Sequence, residues 1–219
     1  MSDARTAILR RIVEANSSQG TAEAAAESWE LLPRDYSVVS QRSRADVLEL
    51  LQDRLRDYDA AVVRCEPALL TMTLNATLTA ASVHRIGIPQ GLQELILPAG
   101  FEFVIDEGMS PSELDGLDAV LTGCILAIAE TGTLVLQSTI DHGRRALTLV
   151  PDVHVCLVRS ADVVETVPQA FARLQPTATM PTTFVSGPSA TADIEMTRVK
   201  GVHGPRFLHV ILIHDDAAT

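Results

Sequence analysis

VHVCLVR, residues 153–159, is almost continuously apolar, with His154 as its one interior polar side chain. A strand of this kind needs cover on both faces, which is the condition of a parallel sheet whose crossover helices pack on either side. FLHVILI (207–213) has the same character. Shorter runs at AVVR (61–64), RIGI (85–88), EFVI (102–105), DAVLTG (118–123) and TTFVS (182–186) read as further strands. Helical signals separate them. Val47, Leu48, Leu51, Leu55 and Tyr58 recur at helical spacing over 43–58, with Ser43 as the expected N-cap. Pro67 opens an apolar helix that runs to about Val83. Ser110-Pro111-Ser112-Glu113 and Thr166-x-x-Gln169 spell capping boxes, so a short helix starts at 110 and another runs from near 166 to Leu174. This alternation predicts an α/β domain over 41–219, with a largely parallel sheet flanked by helices.

Residues 1–40 read differently. Ile8, Leu9, Ile12 and Val13 share one face of a short amphipathic helix over 3–15. The polar stretch that follows, with Gly20 and Pro33, predicts an N-terminal helical arm and linker with a helical piece around 21–31. It holds Trp29, the only tryptophan, which suits either a peg into the protein's own core or a contact for another chain.

Composition narrows the function. The 219 residues are 47% hydrophobic and carry a net charge of −11, so no basic face for a nucleic acid is expected. No apolar run is long enough for a membrane span, and MSDARTAILRR lacks a signal-peptide pattern; the expectation is a cytoplasmic protein. Lys200 is the only lysine, so any Schiff-base chemistry would rest on that residue. Cys65, Cys124 and Cys156 are isolated, which excludes a four-cysteine zinc or iron–sulfur site within one chain and suits reduced, buried thiols.

Ligands of open parallel sheets bind where loops leave the carboxyl ends of the strands. The polar, glycine-containing loops beside the expected strands are therefore the candidate site. In GCILAIAETGTLVLQS (123–138), two apolar flanks that read as buried sheet enclose Glu130-Thr131-Gly132-Thr133. Gly132 permits a turn that other residues resist, and the hydroxyls of Thr131 and Thr133 add donors for an anion. Glu130 is a candidate general base or nucleophile; the alternative is a tight turn in which it caps amides or pairs with an arginine. Ser186-Gly187-Pro188-Ser189-Ala190-Thr191, running on to Asp193 and Glu195, leaves a strand through glycine and proline. Ser189 or Thr191 would cap the next turn, making either an anion site or an ordinary corner. The stretch matches neither G-x-G-x-x-G nor a P-loop. In Lys200–Arg206, two glycines and Pro205 fix a loop that presents His203 and Gly204. His203 is a candidate acid, base or donor, or else a hydrogen-bonded structural histidine. Arg144 is a candidate fork for a carboxylate or phosphate, although Arg144 and Arg145 also suit a solvated pair. His142, His154, His203, Asp193 and Glu195 have no metal-ligand spacing, so no metal site is expected. There is no G-x-S-x-G elbow for Ser–His–Asp catalysis.

Taken together, Thr122-Gly123, AETGT (129–133), Gly143-Arg144, Pro151, His154, SGPSATADIE (186–195) and GVHGP (201–205) resemble the LUD-domain family over about residues 45–214, and PRDY (33–36) extends the likeness. The resemblance implies an α/β fold of the ribose-phosphate isomerase and coenzyme A transferase type. It also implies a non-redox role in a three-protein system that oxidises L-lactate to pyruvate. In that system iron–sulfur clusters sit on a partner subunit and no cofactor sits in this chain. The chain would bind a small carboxylate or phosphorylated ligand. Glu130, Thr131, Gly132, Thr133, Ser186, Gly187, Ser189, Asp193, Glu195, His203 and Gly204 carry over as motif positions. By analogy of fold, a free-standing transferase or isomerase with Glu130 as nucleophile is the alternative, and a scaffold without catalysis is a third. The oligomeric state stays open.

Overall fold

In the computed structural model the described residues are 4–16, 21–36, 39–93, 95, 97–191, 199–201 and 204–214. The chain divides into two compact units, Met1–Tyr36 and Ser37–Thr219.

The first unit holds α1 (Ala4–Asn16) and α2 (Ala22–Glu30). Thr21 caps α2 by accepting the N–H of Ala24. Ile8, Leu9, Ile12 and Val13 of α1 are all exposed. Trp29 is 62% exposed. The Arg34 guanidinium lies 5.0 Å from its ring centroid, a cation–π contact.

The second unit runs α3 (Arg44–Asp57), β1 (Ala61–Cys65), α4 (Leu70–Ala80), β2 (Arg85–Ile88), β3 (Glu102–Ile105), α5 (Pro111–Asp115) and β4 (Ala119–Thr122). It continues through β5 (Leu126–Ile128), β6 (Thr133–Gln137), β7 (Val153–Arg159), β8 (Val163–Val164), α6 (Val167–Leu174) and β9 (Thr182–Val185). It ends with β10 (Ala190–Thr191), β11 (Val199–Lys200) and β12 (Phe207–Ile213). Ser43 caps α3, and both expected capping boxes form, at Ser110/Glu113 and Thr166/Gln169.

Six strands make one wholly parallel sheet in the order β1-β12-β7-β4-β2-β3. Strand β7 is covered on both sides, as its apolarity requires. Val155 and Leu157 face a core with Leu74 and Leu78 of α4, while Cys156 and Val158 face a core with Leu51 and Leu55 of α3. The stretch around Glu130 departs from the single-sheet expectation. ILAIA and LVL form β5 and β6, an antiparallel hairpin in a second sheet of order β8-β5-β6-β9. The link from Ile128 to Thr133 is too short for a parallel crossover, which needs a dozen or more residues, so the chain must fold straight back. One side of the second sheet joins the α3 core through Ala127, Leu134 and Leu136. Its other side, Leu126, Ile128 and Val135, is sealed by Ala170 and Leu174 of α6.

Candidate functional site

The two glycine-bearing motifs meet at the end of α3. Gly132 has φ +59, and a Cβ there would lie 2.8 Å from the Arg54 Cβ and 3.0 Å from its carbonyl oxygen. Gly187 has φ +85, and a Cβ there would lie 2.6 Å from the Tyr58 Cβ and 2.8 Å from its carbonyl oxygen. Both turns thus press their backbones against the last turn of one helix, where only glycine fits. A string of hydroxyls ties the turns together: Thr131 Oγ1 to Thr133 Oγ1 at 2.7 Å, and Thr133 Oγ1 to Ser186 Oγ at 2.7 Å.

The loop Ser186–Ser189 then meets the loop around Gly204. The Ser189 N–H donates to the Pro205 carbonyl at 2.8 Å, and the Ser189 carbonyl accepts from Gly201 N–H at 2.9 Å. Strands β10 and β11 pair just beyond. These loops form one wall of a cavity of about 220 Å³, with Ser186, Gly187, Ser189 and Gly204 on that side and Arg145, Thr148 and His154 facing them. His154 and Leu208, the second residues of β7 and β12, both line it. The cavity therefore sits over the sheet face near the amino ends of these strands, not beyond their carboxyl ends as expected. The reason is the second sheet, whose strand β9 returns its exit loop over that face. A separate cavity of about 370 Å³ lies at the carboxyl ends, lined by Gly123, His142, Arg159 and apolar side chains including Leu157.

Electrostatics distinguish the motif-lined cleft. His154 is buried, and its Nε2 lies 2.8 Å from Thr122 Oγ1. Burial first, then the positive charge of Arg145, pulls its pKa down to about 4, so the imidazole is neutral at pH 7. Arg145 donates through one guanidinium nitrogen to the Thr148 carbonyl at 3.2 Å and hydroxyl at 3.1 Å. It has no carboxylate partner among the described residues, and it is the one formal charge among those lining the cleft. Such a site presents a guanidinium fork, hydroxyls and backbone groups to a small anion.

The other candidates lie elsewhere. Glu130 does not line the cleft. Its side chain is 45% exposed and lies 3.9 Å from Arg42. Arg144 clamps the protein's own Asp106, with Nε at 2.7 Å and a terminal nitrogen at 2.8 Å from the two carboxylate oxygens. Burial raises the Asp106 pKa, but the Arg144 fork and the N–H groups of Met109 and Gly108 outweigh it and hold the carboxyl below its usual range. The Thr191 side chain, Asp193, Glu195 and His203 lie outside the described residues.

Sequence reading passed over Arg145 as a solvated partner of Arg144, and Thr148 altogether. His154 enters the sequence reading as a rejected metal ligand and as a position of the family resemblance, not as a cleft residue; the available signal is a polar side chain at an interior position of a doubly covered strand. Glu165 was also missed. Its carboxylate, 3% exposed, accepts from the Ser40 hydroxyl, the N–H groups of Gln41 and Arg42, and the Arg42 guanidinium. The Ser40 hydroxyl leads these contacts, and together they overcome burial and draw the Glu165 pKa down to about 2. Glu165→Gln is expected to cost about 2 kcal/mol at pH 7, the scale of hydrogen bonds to a buried charge. The Glu165 contribution is complete above its ordinary value near 4.5 and is lost as pH falls toward about 2, so the variant should show a flatter acid limb. Urea unfolding at pH 7 and pH 3 checks both.

The sequence profile of the LUD domain matches residues 2–213. The chain belongs to the LUD-domain family. Within it, lactate utilization protein C from Deinococcus radiodurans is 43% identical over 187 residues, covering 84% of this chain and 87% of the relative. Lactate utilization protein C from Bacillus velezensis is 25% identical over 212 residues, covering 85% and 86%. The crystal structure of a DUF162 family protein from Deinococcus radiodurans superposes with a TM-score of 0.69 at 39% identity, over 78% of this chain and 99% of the other. The α/β architecture of this LUD domain is thus shared with a solved relative. No described helix is long and apolar enough to cross a membrane.

Proposed function

We propose that this LUD domain works in lactate utilization as the non-redox component of a lactate-oxidising assembly, and that it holds a small carboxylate in the cleft between Arg145 and the Ser186–Ser189 loop. The relatives named lactate utilization protein C support the pathway. The observation that carries the ligand reading is Arg145, a guanidinium without a carboxylate partner among the described residues, standing over the cleft that two family motifs build. A single cation, unopposed among the described residues, matches a monocarboxylate, and the neutral His154 offers a hydrogen bond rather than a second charge. Lactate and pyruvate have this form.

Electron transfer falls to a partner subunit bearing iron–sulfur clusters. The thiols here suit no cluster: Cys65 belongs to the core on one face of the sheet, and Cys124 and Cys156 to the core on the other. The transferase alternative would need a ligand within reach of Glu130, which does not line this cleft.

The test is titration calorimetry with L-lactate and pyruvate, alongside growth on L-lactate. Arg145→Gln is expected to weaken carboxylate binding roughly 10–100-fold, the loss of one charge-assisted pair, with the melting temperature lowered only by the loss of its hydrogen bonds to Thr148. Unaltered binding in the variant would sink the cleft assignment. Undiminished growth on L-lactate after deletion of the gene, in a host with no other lactate oxidase, would sink the pathway assignment.

A further inference from the structure

A cavity of about 550 Å³ opens between the start of α3, strand β8 and helix α6. Val47, Val163, Val164 and Ala172 supply its apolar lining, and its charged lining is three arginines, Arg42, Arg44 and Arg173, against one carboxylate, Glu165. That concentration is unexpected in a chain of net charge −11. Two of the three are already paired: Arg42 with Glu165, and Arg173 with Asp162 at 3.1 Å. Arg44 is not. Among the described residues its hydrogen bond is from one terminal nitrogen to the Val163 carbonyl at 2.7 Å, which leaves most of its five donors unused.

Two further features make Arg44 an unbalanced cation. It is the first residue of α3, at the positive end of the helix dipole, where an anion is favoured and a cation is not. Partial burial and then the neighbouring charge of Arg173 depress its pKa, against a weaker opposing pull from Asp162. The fold therefore gathers three guanidinium groups at one hollow, where Glu165 pairs with Arg42 and Asp162 with Arg173, and Arg44 has no ion pair of its own among the described residues. An anion in the hollow would satisfy Arg44.

We propose that this groove is a second binding site, distinct from the cleft at Arg145, for a small polyanion: a phosphate ester or a di- or tricarboxylate that bridges Arg44 and Arg173. Arg42, fixed by Glu165, frames the site and stands 3.9 Å from Glu130, so the glutamate of the AETGT turn sits at the edge of the groove. The apolar lining suits the body of such a ligand, with its charges at the rim.

Calorimetry on the full chain at low salt, with inorganic pyrophosphate and with citrate as probes, tests this. The expected result is saturable binding of at least one probe, weakened about tenfold by Arg44→Gln through loss of a charge-assisted contact. Binding should be unchanged by Arg145→Gln, which empties the other cleft, and by Arg56→Gln, which removes an equal charge at the far end of α3. Preference for pyrophosphate identifies a phosphate ester as the natural ligand, and preference for citrate a polycarboxylate. Absence of binding by both probes, or equal weakening by Arg44→Gln and Arg56→Gln, overturns the proposal. Arg44 holds the fold through one hydrogen bond, to the Val163 carbonyl, and urea unfolding of Arg44→Gln checks that the fold is kept.

Discussion

Gly187→Ala is expected to destabilise the protein by about 3–4 kcal/mol, the sum of a left-handed backbone at a residue with a Cβ and the overpacking that the Cβ causes. Gly187 has φ +85, and the new Cβ would stand 2.6 Å from the Tyr58 Cβ and 2.8 Å from the Tyr58 carbonyl oxygen. Neither atom can yield cheaply. Tyr58 closes α3, and its N–H is bonded to the carbonyls of Leu55 and Arg56. Leu55 itself is fully buried. Relief would have to come from the Ser186–Ser189 loop, which would then leave its hydroxyl contact with Thr133 and its place in the cleft. Gly100→Ala is the matched control. It shares a positive φ, +93, but a Cβ there meets nothing within 4 Å, so only the conformational cost of about 1–2 kcal/mol applies. Urea unfolding of the two variants separates backbone strain from steric conflict. Equal destabilisation would show that the loop moves freely off α3, and the docking of the two motifs on that helix would have to be abandoned.

The same contact shows what could be read in the sequence and what could not. RIGI, EFVI, VHVCLVR and FLHVILI become strands with the expected ends; in VHVCLVR and FLHVILI burial on both faces leaves a signal that needs no knowledge of the partner, while EFVI, at the sheet edge, is legible from its short apolar β-forming run. The capping boxes at Ser110 and Thr166 are equally local and form as spelled. ILAIA and LVL are legible as strands, yet nothing in a short apolar run states which sheet it joins. That decision fell to the brevity of the turn and to α6 covering the outer side. Gly132 and Gly187 read correctly as positions needing unusual backbone, but the cause is the end of α3, which lies far away in the chain. Glu165 stayed hidden for the same reason: its partners Ser40, Gln41 and Arg42 are more than 120 positions away. Arg144 and Arg145 look alike as neighbours, and only the fold assigns one to Asp106 and the other to the cleft.

His154 makes the cleft itself measurable by pH. Its ordinary value is near 6.5 and its folded value about 4, held down by burial and by Arg145. Since the folded pKa lies below the unfolded one, the unfolded chain binds the proton more tightly between these values. Stability is therefore complete above pH 6.5 and declines as pH falls toward 4, by about 3 kcal/mol in all for this residue. His142 and His209 are also pushed down by burial and will add to the slope in the same direction. The wild-type curve alone does not isolate His154; its difference from His154→Gln does. Glutamine keeps a hydrogen-bonding side chain opposite Thr122 and removes the titration. The variant should lose less stability than the wild type between pH 7.5 and 4.5, by an amount approaching 3 kcal/mol on this scale, and most of the difference should accrue below pH 6.5. Parallel curves for the two proteins would mean that His154 keeps an ordinary pKa. It would then be largely protonated near pH 6 and would add a second charge beside Arg145, which would shift the ligand best matched by the cleft from a monoanion to a dianion.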